Sequence, residues 1–390
     1  MRKCVLSALI LLIVNGLFSA VNILDNSNGI ILEYQRSENQ EEMTVLKQVL
    51  AIPALEVKAR IISGMVREYS TAGEYLGERD VRNEDMVVIN SFVMRELYAH
   101  EVVIQLEEDL GDGKAVLQDL RLELINQQPV AGIETVSSVF RPVYQAMVDN
   151  FAQSYLYDLP VCPPSMLIIT PASAVSLLDS FVEWKNALGI TTAIATLDQT
   201  GNTSTSIKNY IQAIYDDQSA TPPDYLLLIG DVNGAYALPS FYYSVENNVS
   251  DHPYTMLAGD DYLPEMIVGR LTVDTQFELM TVINKILFYE KNPYLEDSSW
   301  LTRALLVAGN YASTPPIPTT PTAVSQWLHE KMTDFGYTQV DEVFYPPTYP
   351  GTSAIINSIN NGVGFVSYRG WGDANGWHYP NFKREDVQNL

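Results

Sequence analysis

Cysteine and histidine are scarce in this 390-residue chain, which has two of the first and four of the second. Cys4 lies in the first twenty residues, which read as an export signal, so the rest of the chain keeps Cys162 alone and forms no internal disulfide. Cys162 sits in the proline-rich joint "LPVCPPSM", with no basic neighbour to activate its thiol, and reads as structural or incidental rather than nucleophilic. No two histidines have metal-site spacing such as HExxH, which disfavours a zinc hydrolase. GxSxG, GxGxxG and Walker loops are absent, so serine-hydrolase, dinucleotide and nucleotide readings lack support. Basic residues are also few. The 23 Lys and Arg face 47 Asp and Glu, for a net charge of −24. Such a chain repels phosphate backbones, which argues against a nucleic-acid partner. The same charge suits a secreted protein, or one that gathers hard cations on carboxylates. Beyond residue 20 no apolar run reaches membrane-spanning length, so no membrane contact is expected once the signal is removed.

What is present divides the chain. Residues 1–20 read as a signal peptide. Arg2 and Lys3 precede the apolar stretch Val5 to Val14, and Ser19 and Ala20 are small enough for cleavage, although Phe18 fits poorly. Residues 21–150 carry short alternating apolar runs that predict half-buried strands, with "LGDGK" as a turn. Residues 151–165 form a linker with a proline break. From residue 166 the pattern becomes alternating strands and helices. "MLIIT", "ITTAIATL", "PDYLLLIGD", "EMIVGRL", "RALLVAGN", "VDEVFYP" and "GFVSYRGW" are strands, and amphipathic helices lie between most of them. Ser204 or Thr205 is expected to cap one helix, and Asp274 or Thr275 another. Strands apolar throughout predict an α/β class with a doubly wound, mostly parallel sheet covered on both faces. The stretch around "YEKNPYLEDSSW" divides it into subdomains 166–297 and 298–390, a single continuous sheet being the alternative.

Function in such sheets collects beyond the carboxyl ends of the strands, and three strand ends stand out. Asp231, after "LLLIG", can bind a cation, orient a histidine or cap the next turn. Asp260 and Asp261 in "AGDDYLPEMIVGR" form either a calcium site or a solvated acidic turn, and Arg270 is expected to pair with one of them. The third is "GFVSYRGWGDANGWHYPNF". Gly370 and Gly372 permit a sharp turn and close approach to a ligand, His378 is a candidate general acid and base, and Trp371, Asp373 and Trp377 are candidate pocket walls. His100 reads as structural or exposed, His329 as a helix-surface residue, and His252 as a weak metal candidate.

These segments, taken in order from about residue 160 to 390, resemble the gingipain-type cysteine peptidases. The most specific blocks are "GDDYLPEMIVGR" and "NGVGFVSYRGWG". The resemblance implies a caspase-like fold and a secreted or surface-located bacterial endopeptidase. It also implies a protein or peptide substrate, a Cys/His dyad that needs no cofactor, and calcium as a structural ion. By the same resemblance residues 21–150 look like the family's profragment, and the amide at Gly372 is the candidate oxyanion donor. Two departures matter. Trp371 stands where the family has its catalytic histidine, between Gly370 and Gly372, so His378, seven residues on, is the candidate replacement. The family's nucleophilic cysteine lies on the next strand, so the chain reads as a fragment whose 390 residues lack the nucleophile and have no peptidase activity alone. The rival reading is a gingipain-like module that has lost catalysis and serves surface binding or adhesion. A carbohydrate-active or esterase-like enzyme ranks below both.

Overall fold

The computed structural model describes residues 21–390 apart from 27–28, 38–42, 82–85, 218, 245–247, 311–319 and 347–350. The signal-peptide stretch and most of the proline-rich "STPPIPTTPT" loop lie outside the described residues. The chain forms two compact units, divided between Leu287 and Phe288.

The first unit opens with antiparallel strands β1 (Val21–Asn26), β2 (Gly29–Gln35), β3 (Val45–Ala51), β4 (Val57–Ser70), β5 (Tyr75–Asp80), β6 (Val87–Met94), β7 (Leu97–Gln105), β8 (Glu107–Asp109) and β9 (Gly113–Asn126). One sheet runs β1-β2-β9-β4-β5 with β8 on the edge of β9, and a second runs β3-β7-β6. Their apolar faces share one core, in which Leu32, Leu117, Leu122 and Leu124 of the first sheet meet Leu50, Val102 and Ile104 of the second. β4 slips register against β9 near Ile61 and again at Met65, which bends this long strand over the core.

The linker is packed rather than free. β10 (Val136–Ser137) pairs in parallel with β11 (Val161–Cys162), and helix α1 (Arg141–Met147) lies between them. Phe140, Tyr144, Val148, Phe151 and Leu156 bury against Ala51, Met94, Leu97 and Ala99 of the β region. Asn150 holds both backbone groups of Ala51, at 2.8 and 3.1 Å.

The same unit continues as β12 (Ser165–Thr170), α2 (Asp179–Ala187), β13 (Thr191–Thr196), α3 (Leu197–Thr200), α4 (Ser204–Tyr215), β14 (Tyr225–Ile229), the hairpin β15 (Phe241–Tyr243) and β16 (Asn248–Ser250), β17 (Ile267–Leu271) and α5 (Gln276–Lys291). The sheet order is β13-β12-β14-β17, parallel throughout. Alternation along β12 sends Leu167 and Ile169 to Ile207 and Ile211 of α4, and Ile168 to Phe181 of α2 and Leu279 and Ile283 of α5. Both faces are thereby covered, as apolar strands require. The α4 cap is Thr203, not Ser204 or Thr205. Thr203 has extended backbone and accepts the Ser206 amide, whereas the next two residues are already helical and cannot serve. At α5 the Thr275 hydroxyl accepts the Glu278 amide, and the Glu278 carboxylate accepts the amides of Asp274 and Thr275.

The second unit contains β18 (Arg303–Gly309), α6 (Pro321–Phe335), β19 (Gln339–Tyr345), α7 (Thr352–Asn360) and β20 (Phe365–Arg369), then a short meander of β21 (Gly372–Asp373), β22 (Gly376–His378) and β23 (Asn381–Lys383). Its parallel sheet runs β19-β18-β20. Leu305 and Val307 face Ile355 of α7 on one side, and Ala304 and Leu306 face Met332 of α6 on the other. Thr320 caps α6 through the Ala323 amide, and Gly336, at φ 109°, ends it in the left-handed region. Among the described residues no helix is long and apolar enough to cross a membrane.

Candidate active site

β20 ends at Arg369, and the chain turns through Gly370 and Trp371 into the meander. Gly370 has no side chain, and a Cβ there would crowd the Tyr368 ring and hydroxyl. The Tyr368 hydroxyl is therefore able to fold back and donate to the Trp371 carbonyl at 2.6 Å. A second close approach fixes the far side of the loop, since a Cβ at Gly309, the last residue of β18, would overlap the Tyr379 carbonyl. Within the meander, β22 places Trp377 opposite Gly372 and Phe382. Trp377 stacks on Tyr368 with centroids 4.4 Å apart and planes 9° apart. These contacts leave the loop little freedom to move.

His378 is held by three contacts from two residues, Trp371 and Asp373. Its amide donates to the Trp371 carbonyl at 3.0 Å. Its ring lies against the Trp371 ring, with centroids 4.0 Å apart. Its Nε2 lies 2.9 Å from Asp373 Oδ2, while Asp373 Oδ1 accepts the Asn375 amide at 2.7 Å. That amide and the bond to His378 hold the Asp373 carboxyl below its ordinary range, so it is ionised at neutral pH. Trp371 is 48% exposed beside the pair. Gly372 is exposed at the start of β21. The second unit thus brings together His378, Asp373, Trp371, Trp377, Gly370 and Gly372. The arrangement can orient an imidazole against a carboxylate, which is the geometry a general base at a nucleophile needs.

The aspartate's pairing with His378 was not read from the sequence. The signal was available in "DANGWH", where Asp, Asn and Gly mark a tight turn. The turn sets Asp373 opposite Gly376, and that register brings its carboxylate to His378.

In the first unit, Asp231 follows β14 and is used locally. Its Oδ1 accepts the Val232 amide at 2.7 Å and its carbonyl accepts the Leu238 amide. Arg270 does not pair with Asp260 or Asp261. It meets Asp251, with Nε and one terminal nitrogen 2.8 and 2.7 Å from the two carboxylate oxygens, and also donates to the carbonyls of Gly230, Leu238 and Pro239. The β17 register sets Arg270 opposite Leu228 near the end of β14, beside Gly230, Leu238, Pro239 and Asp251 rather than the acidic pair that precedes its own strand. Asp261 instead accepts the amides of Leu263, at 2.7 Å, and Val93, at 3.3 Å. Among the described residues no group of three or more His, Cys, Asp or Glu is placed to hold a metal ion.

The other histidines are engaged. His100 is buried between Ser91 Oγ and the Ile52 and Ala54 carbonyls, and burial lowers its pKa. His252 meets the Tyr262 carbonyl, and His329 pairs with Glu342 on the surface. Cys162 lies at β11, 3.9 Å from the Thr221 hydroxyl.

Glu265 escaped sequence reading because a lone Glu after a proline carries no pattern. It is fully buried, and its Oε2 accepts the Leu257 and Ala258 amides at 2.5 and 3.1 Å. Its Oε1 has no hydrogen-bond partner among the described residues. Burial pushes its pKa up from 4.5 to about 7, against the pull of those amides. The folded state therefore holds this proton more tightly than the unfolded chain. Stability is expected to fall by up to about 3 kcal/mol as pH rises from the ordinary carboxyl range to neutrality. Urea unfolding across that interval checks this, and Glu265→Gln is expected to remove that part of the slope.

The second unit is a parallel α/β sheet covered by helices, and it ends in a loop that pairs an imidazole with a carboxylate. The chain belongs to peptidase family C25, whose sequence profile matches residues 160–390. This is the family of the gingipain-type cysteine peptidases. The chain is 25% identical to Gingipain R2 of Porphyromonas gingivalis (strain W83) over 283 residues, covering 68% of this chain and 36% of that protein. It is 29% identical to Lys-gingipain of the same species (strain ATCC 33277) over 261 residues, covering 65% of this chain and 14% of that protein. The chain therefore spans about a third of Gingipain R2 and less of Lys-gingipain. Among solved structures, the complex of the pro- and mature domains of Porphyromonas gingivalis RgpB matches 58% of this chain and 52% of that one, at 25% identity and a TM-score of 0.52. The Arg-specific cysteine proteinase gingipain R shares the fold, with 24% identity, a TM-score of 0.51 and coverage of 58% of this chain and 51% of that one.

Proposed function

We propose that the protein is a secreted bacterial cysteine endopeptidase in which His378 and Asp373 form the acid–base half of the site and a cysteine outside residues 1–390 is the nucleophile. The observation that carries the reading is the His378–Asp373 pair, 2.9 Å apart, on the loop that follows β20. Trp371 cannot transfer a proton, but its ring lies 4.0 Å from that of His378. The imidazole thus sits beside the position where the family's histidine is expected. Among the described residues β20 pairs with β18 alone, and Phe365 and Val366 are 40% and 41% exposed. That edge suits a further strand carrying the cysteine.

In the proposed reaction His378 takes the thiol proton and the thiolate attacks the scissile carbonyl. The imidazolium, steadied by Asp373, then protonates the leaving amine, and water completes hydrolysis of the acyl-enzyme. The Gly372 amide is the proposed oxyanion donor. Trp371 and Trp377 border the peptide. Residues 21–150 act as a profragment, and residues 1–20 direct export.

A structural calcium ion at Asp260 and Asp261 is also carried as a proposal of the resemblance. Two carboxylates, one already holding two amides, fall well short of the six to eight oxygens calcium takes, and no step depends on it.

The second reading, a binding module without catalysis, rests on Trp371 itself, a half-exposed indole at the histidine position. A protein read from the gene through the strand after β20, incubated with a mixed peptide library, separates the two. Cleavage that stops on thiol alkylation supports the peptidase, and binding without cleavage supports the module.

A further inference from the structure

The tip of the β6–β7 hairpin is an arginine in an unusual state. Arg95 has φ 53°, in the left-handed region that side chains other than glycine rarely adopt. Its side chain is 0% exposed. The guanidinium has left the β region and entered the parallel α/β layer. It donates to the carbonyls of Pro222, at 3.0 Å, Pro223, at 2.8 Å, and Glu265, at 2.9 Å. It lies 3.4 Å from Asp224 and 4.9 Å from the centre of the Phe140 ring. Asp224 is itself committed there, since it accepts the Ser137 hydroxyl and the Ser165 amide.

The tip is braced from behind. The Tyr144 hydroxyl donates to the Met94 carbonyl and the Glu96 carboxylate, and the Tyr155 hydroxyl donates to the Glu96 carbonyl. Beside it, the Val93 amide reaches Asp261. A buried charge met by a carboxylate and three carbonyls in forked geometry is a built socket, and guanidinium is the group that fits it.

We propose that this socket, formed by Pro222, Pro223, Asp224 and Glu265, is the docking site for the N-terminal β region, and that Arg95 keeps that region attached after the linker is cut. The socket lies where the chain enters β14 and β17, at the amino ends of these strands. Docking alone carries the inference, so it stands whether or not the chain is part of a peptidase.

The test uses the full chain with a recognition sequence for a specific protease inserted after Asp158, which is exposed in the linker. After cutting, size-exclusion chromatography is expected to show both pieces eluting together. Arg95→Gly removes the guanidinium while accepting the left-handed backbone, and is expected to weaken retention about a hundredfold. Arg95→Lys keeps the charge but not the fork, and is expected to fall between the two. Circular dichroism of the uncut variants establishes that they fold. If Arg95→Gly does not fold, Arg95→Lys is the deciding variant. Separation of the wild-type pieces on cutting, or retention in the deciding variant equal to wild type, overturns the proposal.

Discussion

Replacing His378 by alanine is expected to lower kcat/KM for peptide hydrolysis by about a thousandfold in a protein that includes the proposed nucleophile-bearing strand, mostly through kcat. The reason is geometric. The imidazole is fixed by the Trp371 carbonyl through its amide, by the Trp371 ring through contact, and by Asp373 through Nε2. A histidine fixed three ways suits the proposed role of accepting a proton from a thiol and returning it to an amine. Asp373→Asn leaves the loop's shape while removing the charge opposite the imidazolium, and is expected to give a smaller loss of about tenfold to a hundredfold. Steady-state kinetics on one peptide substrate checks both. Wild-type activity in His378→Ala would remove this residue from the chemistry.

The second large effect concerns stability. Arg270→Ala is expected to destabilise the protein by about 3–5 kcal/mol, because it leaves Asp251 as a largely buried carboxylate without its partner. It also strips donors from the Gly230, Leu238 and Pro239 carbonyls, which tie the end of β14 to the loop before β15. The loss is expected to depend on pH. Burial alone would raise the Asp251 pKa, but the Arg270 and Ser240 hydrogen bonds and the guanidinium charge bring it below the ordinary 3.8. The stabilisation is therefore fully present above that ordinary value and disappears as pH falls through the depressed one. Guanidinium-chloride unfolding at neutral and strongly acid pH measures both parts. Equal stability of variant and wild type at neutral pH would show the pair to be ornamental.

Much of the α/β part was legible because its strands are apolar throughout and its helices repeat at helical spacing. "MLIIT" and "PDYLLLIGD" became the central strands β12 and β14, and "RALLVAGN" became β18. The glycine-rich loop was legible by composition. Its internal pairing was not, because the His378–Asp373 contact depends on a turn register that composition does not encode. Arg270 was seen as an ion-pair former, but Asp251 was not seen as its partner, since the two meet through strand register and loop closure rather than sequence proximity. The Arg95 socket was invisible for the same reason, with 128 positions separating Arg95 from Pro223. Residues 151–165, expected as a linker, in fact bury Phe151 and Leu156 against the β region. Proline-rich composition marks a break in regular structure, not freedom from packing.

The central claim is that His378 activates a cysteine on the strand beside β20. The most direct measurement is mass-spectrometric mapping of the adduct formed by a peptidyl chloromethyl ketone on the protein read from the gene through that strand. The predicted result is one modified cysteine on that strand, lost or greatly slowed in His378→Ala. No adduct, or an adduct confined to Cys162, would contradict the account and leave the exposed Trp371 loop as a binding surface.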